Sequence, residues 1–232
     1  RIMQNEASNE GGGITVQDNS MARLTNASIL SNTAATGGGM QGSDHSNVVV
    51  ANGIIRSNIV TDSSAGIQVT NGAQLTITNG LVVHNQVMDG DGVGGIEFVC
   101  CQARGYFMNV TGAENSVVSG TGGIQLGDSN SLTAVNSIIA KNSQDDLACG
   151  ASTCAISYSD VEGGWAGMGN IAADPLFAGA GDYHLRQGSP CINAGTVTGA
   201  PSTDIEGTIR SATPDMGAYE WWARVYLPVV LK

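Results

Sequence analysis

Positive charge is scarce in this chain, and charge of either sign is sparse. Its 232 residues include nine Lys and Arg against twenty Asp and Glu, a net charge of −11, and only 12 % of the chain is charged. Nine basic residues spread along the sequence form no patch, which argues against nucleic acid or anionic lipid as a partner. The shortage of Lys, Arg and Glu also removes the strong helix formers. Aromatic residues make up 5 % and form no ladder on which sugar rings would stack. No apolar run reaches the ~20 residues of a membrane helix, so no transmembrane segment is expected. No secretory signal is evident, and Arg1–Asn5 reads as the middle of a strand, as in a mature or truncated product.

What the chain does contain points to strands and tight turns. Glycine numbers 33, and 41 % of residues are hydrophobic, too many for a disordered chain. Val, Ile and Thr punctuated by Gly and Asn favour strands broken by corners. The five cysteines are Cys100, Cys101, Cys149, Cys154 and Cys191. Cys149 and Cys154 flank a short Gly-containing loop and are the candidate disulfide. Adjacent Cys100 and Cys101 would face opposite sides of a strand, one of them toward the core. No Cys-x-x-Cys or Cys/His grouping suggests zinc.

Internal repetition organises the first 145 residues. Gly followed by an apolar residue recurs at Gly13, Gly39, Gly66, Gly95 and Gly123, with spacings of 26, 27, 29 and 28 residues. Thirteen residues later stand Asn26, Asn52, Asn79 and Asn136, with Asn109 one residue further on in the fourth repeat. Six residues beyond each comes another asparagine: Asn32, Asn58, Asn85, Asn115 and Asn142. Leu24, Val50, Ile77, Phe107 and Ala134 form an apolar column two residues before the first asparagine column, and Val48, Leu75 and Leu132 mark another two residues earlier.

A period near 27 without helix formers or a leucine-rich consensus predicts one domain, a right-handed parallel β-helix. Each turn of about three short strands stacks ~4.8 Å above the last, with alternate residues facing a shared core. The asparagines then sit at corners, where Asn tolerates left-handed backbone, and equivalent amides hydrogen-bond in a ladder from turn to turn. The glycines are expected to supply backbone freedom at a second corner. The repeats are assigned to residues 1–165.

The sequence changes character from about Gly169. It reads Asp174-Pro175, Gly181-Asp182-Tyr183, Gly188-Ser189-Pro190-Cys191, Asp204-Ile205-Glu206-Gly207, Arg210, then Pro214-Asp215-Met216-Gly217-Ala218-Tyr219-Glu220. This ordered series, covering roughly residues 169–220, resembles the carboxy-terminal region of choice-of-anchor bacterial β-helix proteins. That resemblance implies a pectate-lyase-like solenoid, exported to the bacterial surface or the extracellular space, and it implies no reaction. Residues 166–220 are therefore read as a loop-rich closing segment. Arg210 lies among Asp204, Glu206, Asp215 and Glu220, an arrangement that ties loops together through charge-assisted bonds. This is read as a clasp on the last turn, and a catalytic carboxylate pair is the competing reading. Residues 221–232 form a tail in which Val225, Leu227, Val229 and Leu231 alternate as in a strand, and Pro228 confines it to an edge. It resembles export-type termini and would fold back or add to the sheet of another copy.

No catalytic residues are identified and no cofactor is required. Asp89 and Asp91, in a Gly-rich loop, are Ca²⁺ candidates, with a solvated loop as the competing reading. Glu97, with Arg104 and Tyr106, is the candidate groove site. His45, His84 and His184 share no column, so no metal or catalytic triad is visible. Three functions fit: a structural or adhesive surface protein, self-assembling end to end; a carbohydrate-binding module with polysaccharide as partner; and a polysaccharide lyase or hydrolase, which would need basic and paired acidic groups that are sparse here.

Overall fold

The computed structural model describes residues 1–61 and 63–222. The chain is a parallel β-helix of about five turns, each of ~27 residues, with no helix among the described residues. One sheet runs through Ile2–Met3, Met21–Thr25 with Ser28–Leu30, Asn47–Arg56, Gln74–Val83, Arg104–Ala113, and the paired short strands that follow, ending at Asp160–Val161. A second is built on Ile14–Val16, Met40–Gly42, Ile67–Val69, Ile96–Phe98 and Ser119–Leu126, and a narrow third on Thr33–Ala34, Ile59–Val60 and Gln86–Val87. Pairing between turns is parallel and in step, so the apolar column appears as register: Leu24, Val50, Ile77, Phe107 and Ala134 lie side by side. Their side chains fill the core with Ile67, Ile96 and Phe98 from the second sheet. The expected strand in the tail falls on residues 223–232, outside the described ones.

The two asparagine columns divide the work that the sequence reading gave to both. Asn26, Asn52, Asn79, Asn109 and Asn136 adopt left-handed backbone, with φ between 50° and 55°. They form the corner and point outward. In the other column the left-handed residue is the one before each asparagine (Ser31, Ser57, His84, Glu114 and Lys141), and the asparagine turns inward. Asn32, Asn58, Asn85 and Asn115 are fully buried. Each donates its backbone N–H and its Nδ2 to the Oδ1 of the next, at 2.9–3.0 Å. Each Nδ2 also reaches a carbonyl of the preceding turn, as Asn85 does to Ile55 at 3.1 Å. Asn5 begins this ladder, and Asp146 ends it by accepting both donors of Asn142, at 3.0 and 2.7 Å. A carboxylate serves there because the last rung has only to accept.

The glycine column has a steric cause, not the conformational one expected. None of Gly13, Gly39, Gly66, Gly95 or Gly123 has positive φ. A Cβ on any of the first four would collide with the carbonyl of the glycine one turn on, and would crowd the Nδ2 of Asn32, Asn58, Asn85 or Asn115 respectively. The glycines thus make room for the ladder, which is why the two columns keep phase.

Cys149 and Cys154 form a disulfide closing the loop between Asp145–Ala148 and Thr153–Ser157. Cys100 and Cys101 differ from expectation. The fourth turn is longer, Cys101 and Gln102 take left-handed backbone, and the vicinal pair loops out at a turn, bonded to itself. Cys191 is a buried free thiol whose Sγ lies 3.2 Å from Asp160 Oδ2.

Candidate functional site

After Val161 the chain first runs along the last turn, where Tyr158 N donates to Met168 O, Ile171 bridges Asp160 and Asn170 Nδ2 donates to Ile156 O. It then turns back along the side of the solenoid as an arm, which lies on the outward asparagines of the third to fifth turns. Asn79 gives Nδ2 to Thr203 O at 2.8 Å and accepts from Arg210 Nη2 at 3.0 Å. Asn109 donates to Asp215 O and Gly217 O, and Asn136 donates to Thr196 O at 2.7 Å while accepting from Thr196 N. Beneath these bonds lies a second core. Leu81, Val83, Ala113, Ile138 and Ala140 face outward from the solenoid and pack against Phe177, Tyr183, Leu185, Met216 and Ala218 of the arm.

Arg210 sits at the centre with its side chain 2 % exposed. Its Nη1 lies 3.2 Å from Glu220 Oε2, and its Nη2 also reaches the carbonyls of Gly217 and Ala218. Asp204, Asp215 and Glu220 are buried around it but spend their oxygens mainly on backbone N–H groups. Asp204 takes those of Glu206, Thr208 and Glu220; Asp215 takes those of Asn193 and Trp221; Glu220 takes those of Ser211 and Asp215. Glu206 stands apart, exposed, 3.2 Å from His184 Nε2. Carboxylates saturated in this way hold loops together and present no free oxygen pair to a substrate.

The groove is elsewhere. In the second sheet Ile67, Val69, Ile96 and Phe98 face the core, so the residues between them face out. Gln41, Gln68, Glu97 and Gln125 stand in register along that outer face, one per turn. The chain bends sharply just before this row, and the bend brings Ser63, Ser64, Asp91 and Ser119 over it. The resulting groove of 470 Å³ is lined by Ser63, Asp91, Glu97, Ser119 and Gln125 among others. Gln41 Nε2 donates to Gln68 Oε1 at 3.1 Å, and Gln68 Nε2 to Ser63 Oγ at 3.0 Å and Glu97 Oε2 at 3.4 Å. Ser64 Oγ donates to the same Glu97 oxygen. Thr121 Oγ1 donates to Gln125 Oε1 at 2.8 Å. Gln41 Oε1 is buried without a partner among the described residues.

Against protein families, curated proteins and solved structures, the chain matches none.

The structure separates the groove residues suggested by sequence. Glu97 lies in the row, whereas Arg104 and Tyr106 lie on a strand of the other large sheet, with Tyr106 exposed there. Asp91 joins Glu97 in the groove, and Asp89 stays on the loop before it. Among the described residues no group of three or more His, Cys, Asp or Glu gathers to hold a metal ion. The glutamine row was missed because it has no motif. The available signal was Gln41, Gln68, Glu97 and Gln125, each two residues after the repeat glycine.

The clasp carries a pH dependence. Burial pushes the Asp215 carboxyl from its ordinary 3.8 up to about 6, against the pull of its backbone donors. Burial likewise raises Asp146 and Asp160. Burial lowers and the carboxylates of Asp182 and Glu206 raise His184, with a net upward direction. A group whose folded pKa is raised stabilises the fold below its unfolded value and loses that contribution as pH rises through the folded one. The window for Asp215 therefore runs from about 4 to about 6, and for His184 from about 6.5 upward. Thermal melting at constant ionic strength is expected to give a Tm higher at pH 5 than at pH 8 by a few degrees, on the order of 1 kcal/mol from Asp215. Asp215→Asn should flatten that dependence. A Tm that falls between pH 8 and pH 5 would show that these groups do not control the arm.

Proposed function

We propose that the chain is a non-catalytic adhesive β-helix of the bacterial surface that holds polysaccharide along the Gln41–Gln68–Glu97–Gln125 row. One observation carries the reading. Successive turns present Glu97 and Gln125 at the same place in a concave groove, with the Ser63 and Ser119 hydroxyls beside them, and the buried Gln68 holds Glu97 from the turn before. The turns repeat every ~4.8 Å, so the groove offers donors and acceptors at regular intervals to a ligand that is itself a repeat of hydroxyls. The export implied by the carboxy-terminal resemblance agrees with an extracellular ligand.

End-to-end self-assembly has less behind it. A stacked copy would need the donors of Asn142 for its own Asn5, and Asp146 holds both. A hydrolase reading has one observation in its favour, since Asp91 and Glu97 line one groove and glycosidases work with paired carboxylates. A glycan array followed by calorimetry on the intact chain separates these. Binding is expected without release of reducing ends or unsaturated products, and Glu97→Gln or Gln68→Ala should weaken it about tenfold. Turnover abolished by Glu97→Gln would replace adhesion with hydrolysis. Binding indifferent to both substitutions would remove the groove from the account.

A further inference from the structure

The corner that leads from the second sheet into the first is longer in one turn than in the others. Four residues make it at 17–20, 43–46, 70–73 and 127–130, and five make it at 99–103. The extra length falls where two adjacent cysteines are bonded to each other. Cys101 and Gln102 are exposed and Cys100 is half-buried. The ends of this loop are pinned from the following turn by one buried residue. Asn130 gives Nδ2 to Phe98 O at 3.0 Å and accepts from Ala103 N at 3.0 Å. Between these anchors the N–H groups of residues 100–102 bond to no other backbone group among the described residues. The cysteine pair therefore stands outside both ladder and core, on a loop that can change shape while its ends hold still.

The surroundings of Cys100 suit a sulfur that leaves. Its Sγ lies 3.6 Å from Thr70 Oγ1 and 3.6 Å from Asn71 Oδ1, both in the equivalent corner of the preceding turn. Asn71 is itself held, with its Nδ2 given to Asp44 Oδ1 at 3.0 Å. A thiolate at Cys100 takes the Thr70 hydroxyl as donor, and a thiol there gives its proton to Asn71. Cys101 is the more exposed of the two and is the sulfur an incoming group meets.

We propose that Cys100–Cys101 is a thiol–disulfide exchange site that takes a low-molecular-weight thiol onto Cys101. It does not rest on the function assigned to the groove. The incoming thiolate bonds to Cys101 Sγ and the Sγ–Sγ bond breaks. Its electron pair leaves on Cys100, which takes a proton from solvent. The thiol is the reductant and the disulfide is reduced, so no further reagent enters. Because the freed thiol is on the neighbouring residue, the reverse attack is intramolecular and expels the adduct when external thiol is withdrawn.

Incubating the intact chain with millimolar reduced glutathione, quenching with N-ethylmaleimide and mapping peptides by mass spectrometry tests this. Glutathione is expected on Cys101 with maleimide on Cys100. Opening should be at least about tenfold faster than at Cys149–Cys154, whose half-buried sulfurs pack against the core. Dialysis before the quench should restore the vicinal bond. Cys100→Ser, loaded with oxidised glutathione, should keep its adduct through dialysis, since nothing adjacent remains to expel it. Thr70→Val should slow opening severalfold. The opened chain is expected to melt within a few degrees of the parent, because Asn130 still holds the ends of the loop. No opening, opening of both disulfides at one rate, or glutathione on Cys100 in place of Cys101 would overturn the proposal.

Discussion

Replacing Asn85 with alanine is expected to remove about 4–6 kcal/mol of stability and to lower Tm by about 10–20 °C. The side chain occupies the middle of the buried ladder. Its Oδ1 accepts the backbone N–H of Asn58 at 3.0 Å and Asn58 Nδ2 at 2.9 Å, and its Nδ2 serves Ile55 O and Asn115 Oδ1. Alanine removes four hydrogen bonds at once, between rungs that are themselves fully buried, and leaves the Asn58 N–H without an acceptor, while Asn115 Oδ1 keeps the N–H of residue 85 and Asn58 Nδ2 keeps Ile29 O. Each lost bond costs about 1 kcal/mol and the orphaned N–H about 1–3 kcal/mol. Aspartate at the same place should do worse. It keeps the acceptor, but it sets a buried charge against Ile55 O and Asn115 Oδ1 with nothing to donate. At the end of the ladder the order reverses. Asp146→Asn preserves acceptance from Asn142 and should stay within about 1 kcal/mol of the parent. Denaturant unfolding of the three variants reads this ranking. An Asn85→Ala protein as stable as the parent would mean the ladder is incidental to packing.

Arg210→Ala is expected to release the arm while the solenoid stays folded. The guanidinium is the only cation among Asp204, Asp215 and Glu220 in the described clasp, and its two Nη atoms reach Glu220, Asn79 and three carbonyls. Removing it leaves buried carboxylates without a counter-charge, a loss of about 3–5 kcal/mol. Arg210→Lys should recover only part, because a point charge cannot span the fork that bridges arm and solenoid. Unfolding would then occur in two steps, with the arm first. Hydrogen exchange should show residues 177–220 unprotected in the variant while Gln74–Val83 and Arg104–Ala113 stay protected. A single transition shifted by less than about 1 °C would show that the clasp contributes little.

The solenoid was legible because its signals are local and repeat. The phase of Gly13, Gly39, Gly66, Gly95 and Gly123 with the asparagines required nothing beyond the sequence. The cause of that phase was not legible, since the approach of Gly66 to Asn85 Nδ2 and to the Gly95 carbonyl exists only once turns are stacked. The two asparagine columns looked alike because both follow a corner; which one turns inward depends on whether Asn or the residue before it takes the left-handed backbone. The arm's place was also hidden, although one sign was present. Outward positions after the corner are Ser28 and Leu30 in the first turn, but Leu81 and Val83, then Ile138 and Ala140, further on. Apolar residues on an outer face call for a cover. The grouping of Arg210 with buried carboxylates could be expected from composition alone. Its bond to Asn79, 131 residues away, could not.

Hydrogen exchange of the intact chain, with and without the polysaccharide that an array selects, addresses the proposed function most directly. Added protection is expected at residues 63–68, 91–97 and 119–125, with the polymer recovered at its original length. Protection confined to other faces of the solenoid, or a polymer recovered shortened, would contradict the reading of this groove as a non-catalytic glycan site.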